Sequence, residues 1–381
     1  MGLKIFIIIY CFSVLFLSCQ SNEKSISVLT LDESTLFVCD ESKVVEKEDI
    51  KISELVEDLN IVHLDNKDDA FFKLQWMSFS ERYICIWQSN NGPVKLFDKT
   101  GRYISDLGGV GQGPGEYRSI YNVLIDEDKE LVYLASFVDK SILKYDLQGK
   151  YIEKNSFSNN LNKPKLFLNP DSTISIVHLC FKDRGDDFVA ANFHPSNSDN
   201  IRYTYVKELA TNIKDQRGAN TGFNQEIWSY RNTENFSFML TSTDTLYHYN
   251  SISNEVNACF ALKMDPDKKG DSYFVFNELP NHYLAFIVGR EDGTILVNKH
   301  KQTASRVRFI YDSLCDLEIF PRFQDGYFFD MYEPAVLKEK LEEHLESGSY
   351  SDSQAKKAKD LISSLNENDN NVLIYGKLKK K

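Results

Sequence analysis

From about residue 46 onward, apolar and aromatic residues fall in short runs divided by regularly spaced turn signals. Within one unit "YICIW", "VKLFD" and "YISDLG" read as successive strands, each bounded by turn residues. Set "VKLFDKTGRYI" (94–104) above "LKYDLQGKYIE" (143–153), and Phe97-Asp98 meets Tyr145-Asp146, Gly101 meets Gly149, and Tyr103-Ile104 meets Tyr151-Ile152, at a constant offset of 48 residues. Each copy is a hairpin, in which Asp98 or Asp146 bonds the turn's own backbone and Gly101 or Gly149 takes the positive φ that the turn requires. Fainter copies lie at Tyr249-Asn250 and Val297-Asn298, again 48 apart, and "RYTYVKEL" (202–209) is a further candidate degraded by insertions. A period in the forties with about four short strands per unit is the signature of a β-propeller blade. The patterned stretch from 46 to 332, divided by 48, predicts about six blades. The fold class is therefore all-β, a six-bladed β-propeller with a C-terminal helical pair and a final strand.

The helical pair is read from a change of period. In "EPAVLKEKLEEHLESG" (333–348) Pro334 suits a first helical turn, and Leu337, Leu341 and Leu345 line one face. "SDSQAKKAKDLISSL" (351–365) opens with a Ser351/Gln354 capping box. "NNVLIYGKLK" then reads as a strand that returns to a sheet, so residues 333–381 form a helical extension packed on the propeller plus that strand.

The N-terminal pattern is of another kind. Lys4 precedes thirteen residues without charge, IFIIIYCFSVLFL, ending in Ser18-Cys19. That run is short for a membrane span and fits the apolar region of an export signal. A small residue before a cysteine resembles the bacterial lipobox, although Phe16 stands where Leu is usual. This predicts a lipoprotein signal peptide over 1–18 and lipidation at Cys19. Residues 19–45, polar and weakly patterned, are expected to form a tether leading away from a membrane.

Composition narrows the partners. Aromatic residues make up 13% of the chain, with 26 Phe and 20 Tyr, which favours pleated surfaces. A formal net charge of −12 argues against nucleic acid, which needs a basic face. Beyond Cys11 and Cys19 there remain Cys39, Cys85, Cys180, Cys259 and Cys315, an odd and scattered set with no C-x-x-C spacing. Spacing thus supports neither a disulfide framework nor a zinc site, and the thiols are expected to be buried small hydrophobes.

The densest glycine cluster, "DLGGVGQGPGEY" (106–117), invites a phosphate-loop reading that fails. Gly109 and Gly111 begin a dinucleotide fingerprint, but Pro114 takes the third glycine position, no Gly-Lys-Ser/Thr follows, and the next segment has strand pattern. Gly113, Pro114 and Gly115 instead suit a type II turn between blades, with Glu116 and Tyr117 emerging as possible loop contacts. The stretch "KLFDKTGRYISDLGGVGQGPGEY" strongly resembles the hallmark of a group of bacterial, mainly Bacteroidetes, six-bladed β-propeller lipoproteins, in which an F-D-x-x-G-x-[FY] hairpin runs into a G-x-G-x-G-P-G-E-Y loop. The resemblance extends through "ILKYDLQGKYIEK", the lipobox and "NENDNNVLIYGKLK", where Asn371 replaces a proline common in relatives. It implies a fold and a cell-envelope location, and it carries over no catalytic residue.

A search for chemistry returns little. The seven histidines form no H-E-x-x-H or H-x-H pair. "DPDKKGDSYFVF" starts like a calcium loop at Asp265, Asp267 and Gly270, but Lys269 and Phe276 break the pattern, so it reads as a plain turn. No G-x-S-x-G elbow occurs. The expectation is a membrane-anchored, non-enzymatic binding or scaffolding propeller with no catalytic residue, no metal and no cofactor, whose partner is a protein, peptide or glycan. The alternative is an enzyme, a hydrolase or lyase on carbohydrate or lactone substrates, using the central channel. It requires acidic or histidine side chains converging at the channel mouth.

Overall fold

The computed structural model describes residues 24–380 apart from short stretches at 32–33, 74–75, 89–91, 183–187, 215–217, 219–224, 266, 268–271 and 349. Its sheets are antiparallel meanders that succeed one another around a ring, and the chain is a six-bladed β-propeller. Blade one comprises Trp76–Phe79, Tyr83–Trp87, Val94–Asp98 and Tyr103–Leu107, numbered from the axis to the rim. Blade two comprises Asn122–Asp126, Leu131–Ser136, Ser141–Asp146 and Tyr151–Ser156. Blade three runs Lys165–Leu168, Ile174–Val177, Phe188–His194 and Asn197–Tyr205, so "RYTYVKEL" supplies a rim strand and not a hairpin. Blade four holds Ile227–Trp228, Phe236–Leu240, Thr245–Asn250 and Glu255–Lys263. Blade five holds Tyr273–Glu278, His282–Val288, Thr294–Asn298 and Thr303–Tyr311.

Blade six is composite, and it closes the ring. Arg322–Gln324 and Tyr327–Tyr332 pair with the C-terminal strand Val372–Leu378, which pairs in turn with Val56–His63 from near the N-terminus. The propeller thus extends to residue 378, beyond the boundary expected at 332, and helices α1 (Pro334–Ser347) and α2 (Asp352–Ser364) are an insertion within its last blade. Leu337, Leu341, Ala358 and Leu361 bury against the seam of blades five and six, and Ser351 with Gln354 forms the α2 capping box. Six apolar clusters fill the seams between successive blades. Each blade is buried on both faces, which is why alternation is weak and runs such as "YICIW" are almost wholly apolar.

The segment expected to be a tether is largely structured. Ile26–Leu31 and Ser34–Asp40 form a hairpin whose second strand adds in parallel to the rim of blade four. Lys47–Lys51 adds in parallel to the rim of blade five, and Val56–His63 then becomes the rim of blade six. The N-terminal chain is therefore a belt across three consecutive blades. Phe37 packs on Tyr283, Cys39 is buried, and Glu41 is held by Arg306 and Arg290 of blade five. The partners that order this stretch lie more than 200 residues on in the sequence.

The repeated hairpins explain their own period. Asp98 Oδ1 accepts from the backbone N–H groups of Thr100 and Arg102, and Asp146 Oδ1 accepts from those of Gln148 and Lys150. Gly101 and Gly149 sit at φ +90° and +84°, and a Cβ on either would lie 2.4 Å from a carbonyl oxygen of the preceding blade, His63 O or Asp106 O. Glycine is thus required for conformation and for blade-to-blade contact.

Candidate functional site

Antiparallel order places the turns between strands one and two, and between three and four, on one face of the ring, here the turn face. The links between blades emerge on the opposite, link face. On the link face, Gly113, Pro114 and Gly115 lie in the turn that leads into blade two: Glu116 N–H donates to Gly113 O at 3.0 Å and Gly115 has φ +75°. Glu116 folds its carboxylate back onto the Gly113 N–H at 2.7 Å. Tyr117, expected as a loop contact, is 1% exposed, and its hydroxyl joins Val94 N–H and Leu107 O. The ring is consumed in locking the loop because the loop crosses the seam of blades one and two, where an apolar face is buried. Cys19 and residues 1–18 lie outside the described residues, as do Lys269 and Gly270 of the calcium-like stretch.

The axis of the ring is filled by an ion pair. Arg231, in the connection between strands one and two of blade four, reaches inward and donates from Nε to Asp325 Oδ1 of blade six at 2.5 Å. Its remaining N–H groups take Asn122 Oδ1 (2.8 Å), Leu166 O (2.9 Å), Val123 O (3.0 Å), Ser78 Oγ (3.1 Å) and Asp325 Oδ2 (3.1 Å). Asp325 Oδ2 also accepts from Phe79 N–H and Ser78 Oγ. Beside it Asn232 links Asn277 of blade five to Gly326 of blade six. All six blades meet in this network, and the side chains of Arg231 and Asp325 are only 5% and 8% exposed. Both residues hold positive φ, 54° and 55°, strain that persists only where surroundings fix it. A second layer closes the link-face side: Lys165 lies over the rings of Tyr121 and Trp76, and Tyr121 donates to Glu226, which also pairs with Lys163. Burial pushes Lys165 down to about 8, against the pull of Glu226. A central channel that a substrate could enter is therefore replaced by a plug.

Two clefts open on the turn face. A cleft of about 560 Å³ covers the plug, lined with charges of both signs including Glu81, Glu234, Glu278, Lys299, Lys377 and Lys380. A neighbouring cleft of about 520 Å³ runs between blades three, four and five, under the N-terminal hairpin. Glu278, at the end of the first strand of blade five, lines both. Its side chain is 3% exposed, with Oε2 2.6 Å from His248 Nε2 and Oε1 2.7 Å from Lys299 Nζ. Burial alone would raise Glu278, but the hydrogen bond from His248 and the charges of His248 and Lys299 outweigh it and hold the carboxyl below its ordinary range. Lys299 also lies 4.5 Å from the centre of the Tyr283 ring. An imidazole oriented by a carboxylate has the form of an acid–base pair. It is also the convergence that the enzyme alternative requires, displaced from the axis to its flank.

Sequence spacing missed this group and the plug alike, since neither has a local motif. Arg231 and Asp325 are 94 positions apart, and His248 and Glu278 are 30 apart. The five described cysteines are all buried.

The fold and the filled axis define the class: a plugged six-bladed β-propeller with two adjoining clefts on its turn face. The chain belongs to the family described as Domain of unknown function (DUF4934), which it matches over residues 36–377, and so to a Bacteroidetes-type propeller family. No curated protein matches it. A solved protein from Bacteroides fragilis, described as exported, shares the fold at TM-score 0.63 and 16% identity, covering 88% of this chain and 98% of that one. A member of the DUF4221 family from Bacteroides vulgatus gives TM-score 0.44 at 12% identity, covering 85% and 97%. A streptogramin B lyase gives 0.41 at 8%, covering 71% and 94%.

Proposed function

We propose that this protein is a lipid-anchored cell-envelope propeller that binds a partner's peptide segment in the turn-face cleft without turning it over. The observation that carries the reading is the plug: with the axis filled, the ring presents the cleft above it as a recognition surface instead of a substrate channel. The mixed charges of the lining suit a peptide carrying both signs better than a uniformly acidic polymer.

The anchor reading rests on the apolar N-terminal run and Ser18-Cys19, together with the export described for the B. fragilis structure. Ile26 lies only seven positions after Cys19, a reach of at most about 25 Å. Ile26 pairs with Cys39 toward the link-face end of the rim of blade four, so an anchor there turns the link face to the membrane and the clefts away from it. Acyl chains at about 0.8 kcal/mol per buried CH₂ would suffice to hold the disc.

The test is a cross-linked pull-down from native envelopes with the intact protein, Cys19→Ala, and the cleft variant Glu234→Lys/Lys380→Glu. A stoichiometric partner that persists from the membrane fraction and is lost in the cleft variant is expected. A partner indifferent to the cleft variant, or none at all, refutes the binding site, and Cys19→Ala still fractionating wholly with membranes refutes the anchor. The second reading, an enzyme, is favoured only by the His248–Glu278 pair. Turnover of a carbohydrate or lactone substrate that disappears in His248→Ala would establish it in place of the first.

A further inference from the structure

We propose that His248, Cys259 and Glu278 form a site for a divalent transition metal, zinc by its ligand chemistry, that opens into the cleft between blades three and five. One ring nitrogen, the thiol sulfur and a carboxylate oxygen all lie within 4.8 Å of one another. A tetrahedral centre with bonds of about 2.0–2.3 Å sets neighbouring donors roughly 3.3–3.7 Å apart, so the 2.6 Å His248–Glu278 pair needs to open by about an ångström or less. Sulfur, nitrogen and oxygen together select a borderline-soft ion and not magnesium or calcium, which take oxygen ligands.

A specific irregularity lies beside the cysteine. In blade four the register of strands three and four slips between Leu246 and Tyr247: Leu246 pairs with Phe260 and Tyr247 with Ala258, leaving Cys259 as the extra residue of a bulge. Val256 and Ala258 pair with Tyr249 and Tyr247 on the side of the seam of blades three and four, so alternation turns Cys259 to the opposite side. There it lies beside Leu246 and, because of the bulge, Phe260 in the seam of blades four and five, the side on which His248 meets Glu278. Blades one and two also carry a bulge in this hairpin, but directly after its first residue, at Ile104 and Ile152. In blade four the slip falls deeper, beside the thiol, and bulges are over-represented next to functional sites.

The surroundings fit a held ion with one open position. Lys299 occupies Glu278 Oε1, which fixes the carboxylate and leaves Oε2 toward His248. The proton between Oε2 and Nε2, and the proton of the Cys259 thiol, are displaced on binding, since the ligating forms are thiolate, neutral imidazole and carboxylate. Three protein donors leave the fourth position for water or an anionic group reaching in through the cleft that His248, Cys259 and Glu278 line.

The experiment uses the full-length protein purified in detergent under reducing conditions and stripped with a chelator. Zn²⁺ alone is titrated by calorimetry, and Co²⁺ alone by absorption. One equivalent of each is expected to bind, with cobalt giving a thiolate charge-transfer band and the ligand-field bands of a tetrahedral site. Outer-shell changes around metal sites typically weaken affinity 10–100-fold, so losing a ligand in Cys259→Ser or His248→Ala should exceed about 100-fold, while Cys85→Ala leaves it unchanged. No saturable binding by the folded wild-type protein overturns the proposal, as does a saturated cobalt sample without the thiolate band. Neither of those outcomes depends on a variant that folds. Undiminished binding in Cys259→Ser/His248→Ala places the metal elsewhere and equally overturns it. The metal is the only probe, so peptide binding and metal binding stand or fall separately.

Discussion

Replacing Asp325 by asparagine removes one charge from the axial plug and little else. Asparagine tolerates the left-handed backbone that this position holds at φ +55°, so the change reads charge and not strain. In the wild type Asp325 accepts from Arg231 Nε at 2.5 Å and through Oδ2 from Arg231, Ser78 and Phe79. An amide presents one acceptor and turns an NH₂ group toward groups that donate to the carboxylate in the wild type. The Arg231 guanidinium, 5% exposed, is left without a counter-charge, and breaking a buried pair from one side costs about 3–5 kcal/mol. An exposed pair would cost only about 0–1 kcal/mol. Arg231→Met should cost a similar amount by stranding the carboxylate. The double variant strands neither charge, so its cost should fall below the sum of the singles by about 2 kcal/mol or more, well beyond the roughly 0.5 kcal/mol within which independent sites add. Equilibrium urea unfolding of the four proteins, followed by far-UV circular dichroism, measures this cycle. Additivity within about 0.5 kcal/mol, or an Asp325→Asn cost under about 1 kcal/mol, would refute the reading of the axis as a closed electrostatic plug.

Further expectations follow from the same geometry. Glu278 titrates below its reference value of 4.5, so its pairs stabilise the fold fully above that pH and are lost as pH falls through the depressed folded value. The melting-temperature gap between wild type and Glu278→Gln should narrow as pH falls below about 4.5; a gap that does not narrow there would count against the pair. Gly149→Ala meets both a positive φ and the Asp106 carbonyl, whereas Gly326→Ala at φ +79° has open space around its Cβ. Gly326→Ala should cost about 1–2 kcal/mol of backbone strain and Gly149→Ala clearly more, and equal unfolding midpoints would disprove the close contact between blades. Truncation after Asn371 removes Val372, Leu373, Ile374 and Leu378, each buried and worth about 1.5–3 kcal/mol, a loss comparable to the 5–15 kcal/mol that holds a typical protein folded. The truncated chain should show no cooperative melt, and a melt at the wild-type temperature would refute closure through the C-terminal strand.

By itself the sequence determined the elements whose chemistry is local. The Asp-x-x-Gly turns at 98–101 and 146–149, the proline turn at 113–116, the leucine face of α1 and the α2 cap each depend on residues within a few positions of one another, and the 48-residue recurrence of those turns gives the blade number. Tertiary structure decided everything assembled across blades. Tyr117 reads as a loop residue and is buried, because its surroundings come from Val94 and Leu107 in a neighbouring strand. Residues 26–40 read as a tether and form strands, because their hydrogen-bonding partners begin at the rim of blade four. The Arg231–Asp325 plug and the His248–Cys259–Glu278 group have no spacing to recognise. A ring brings the ends of well-separated strands to a common axis and common seams, and the side chains that meet there are set by closure instead of by sequence neighbourhood.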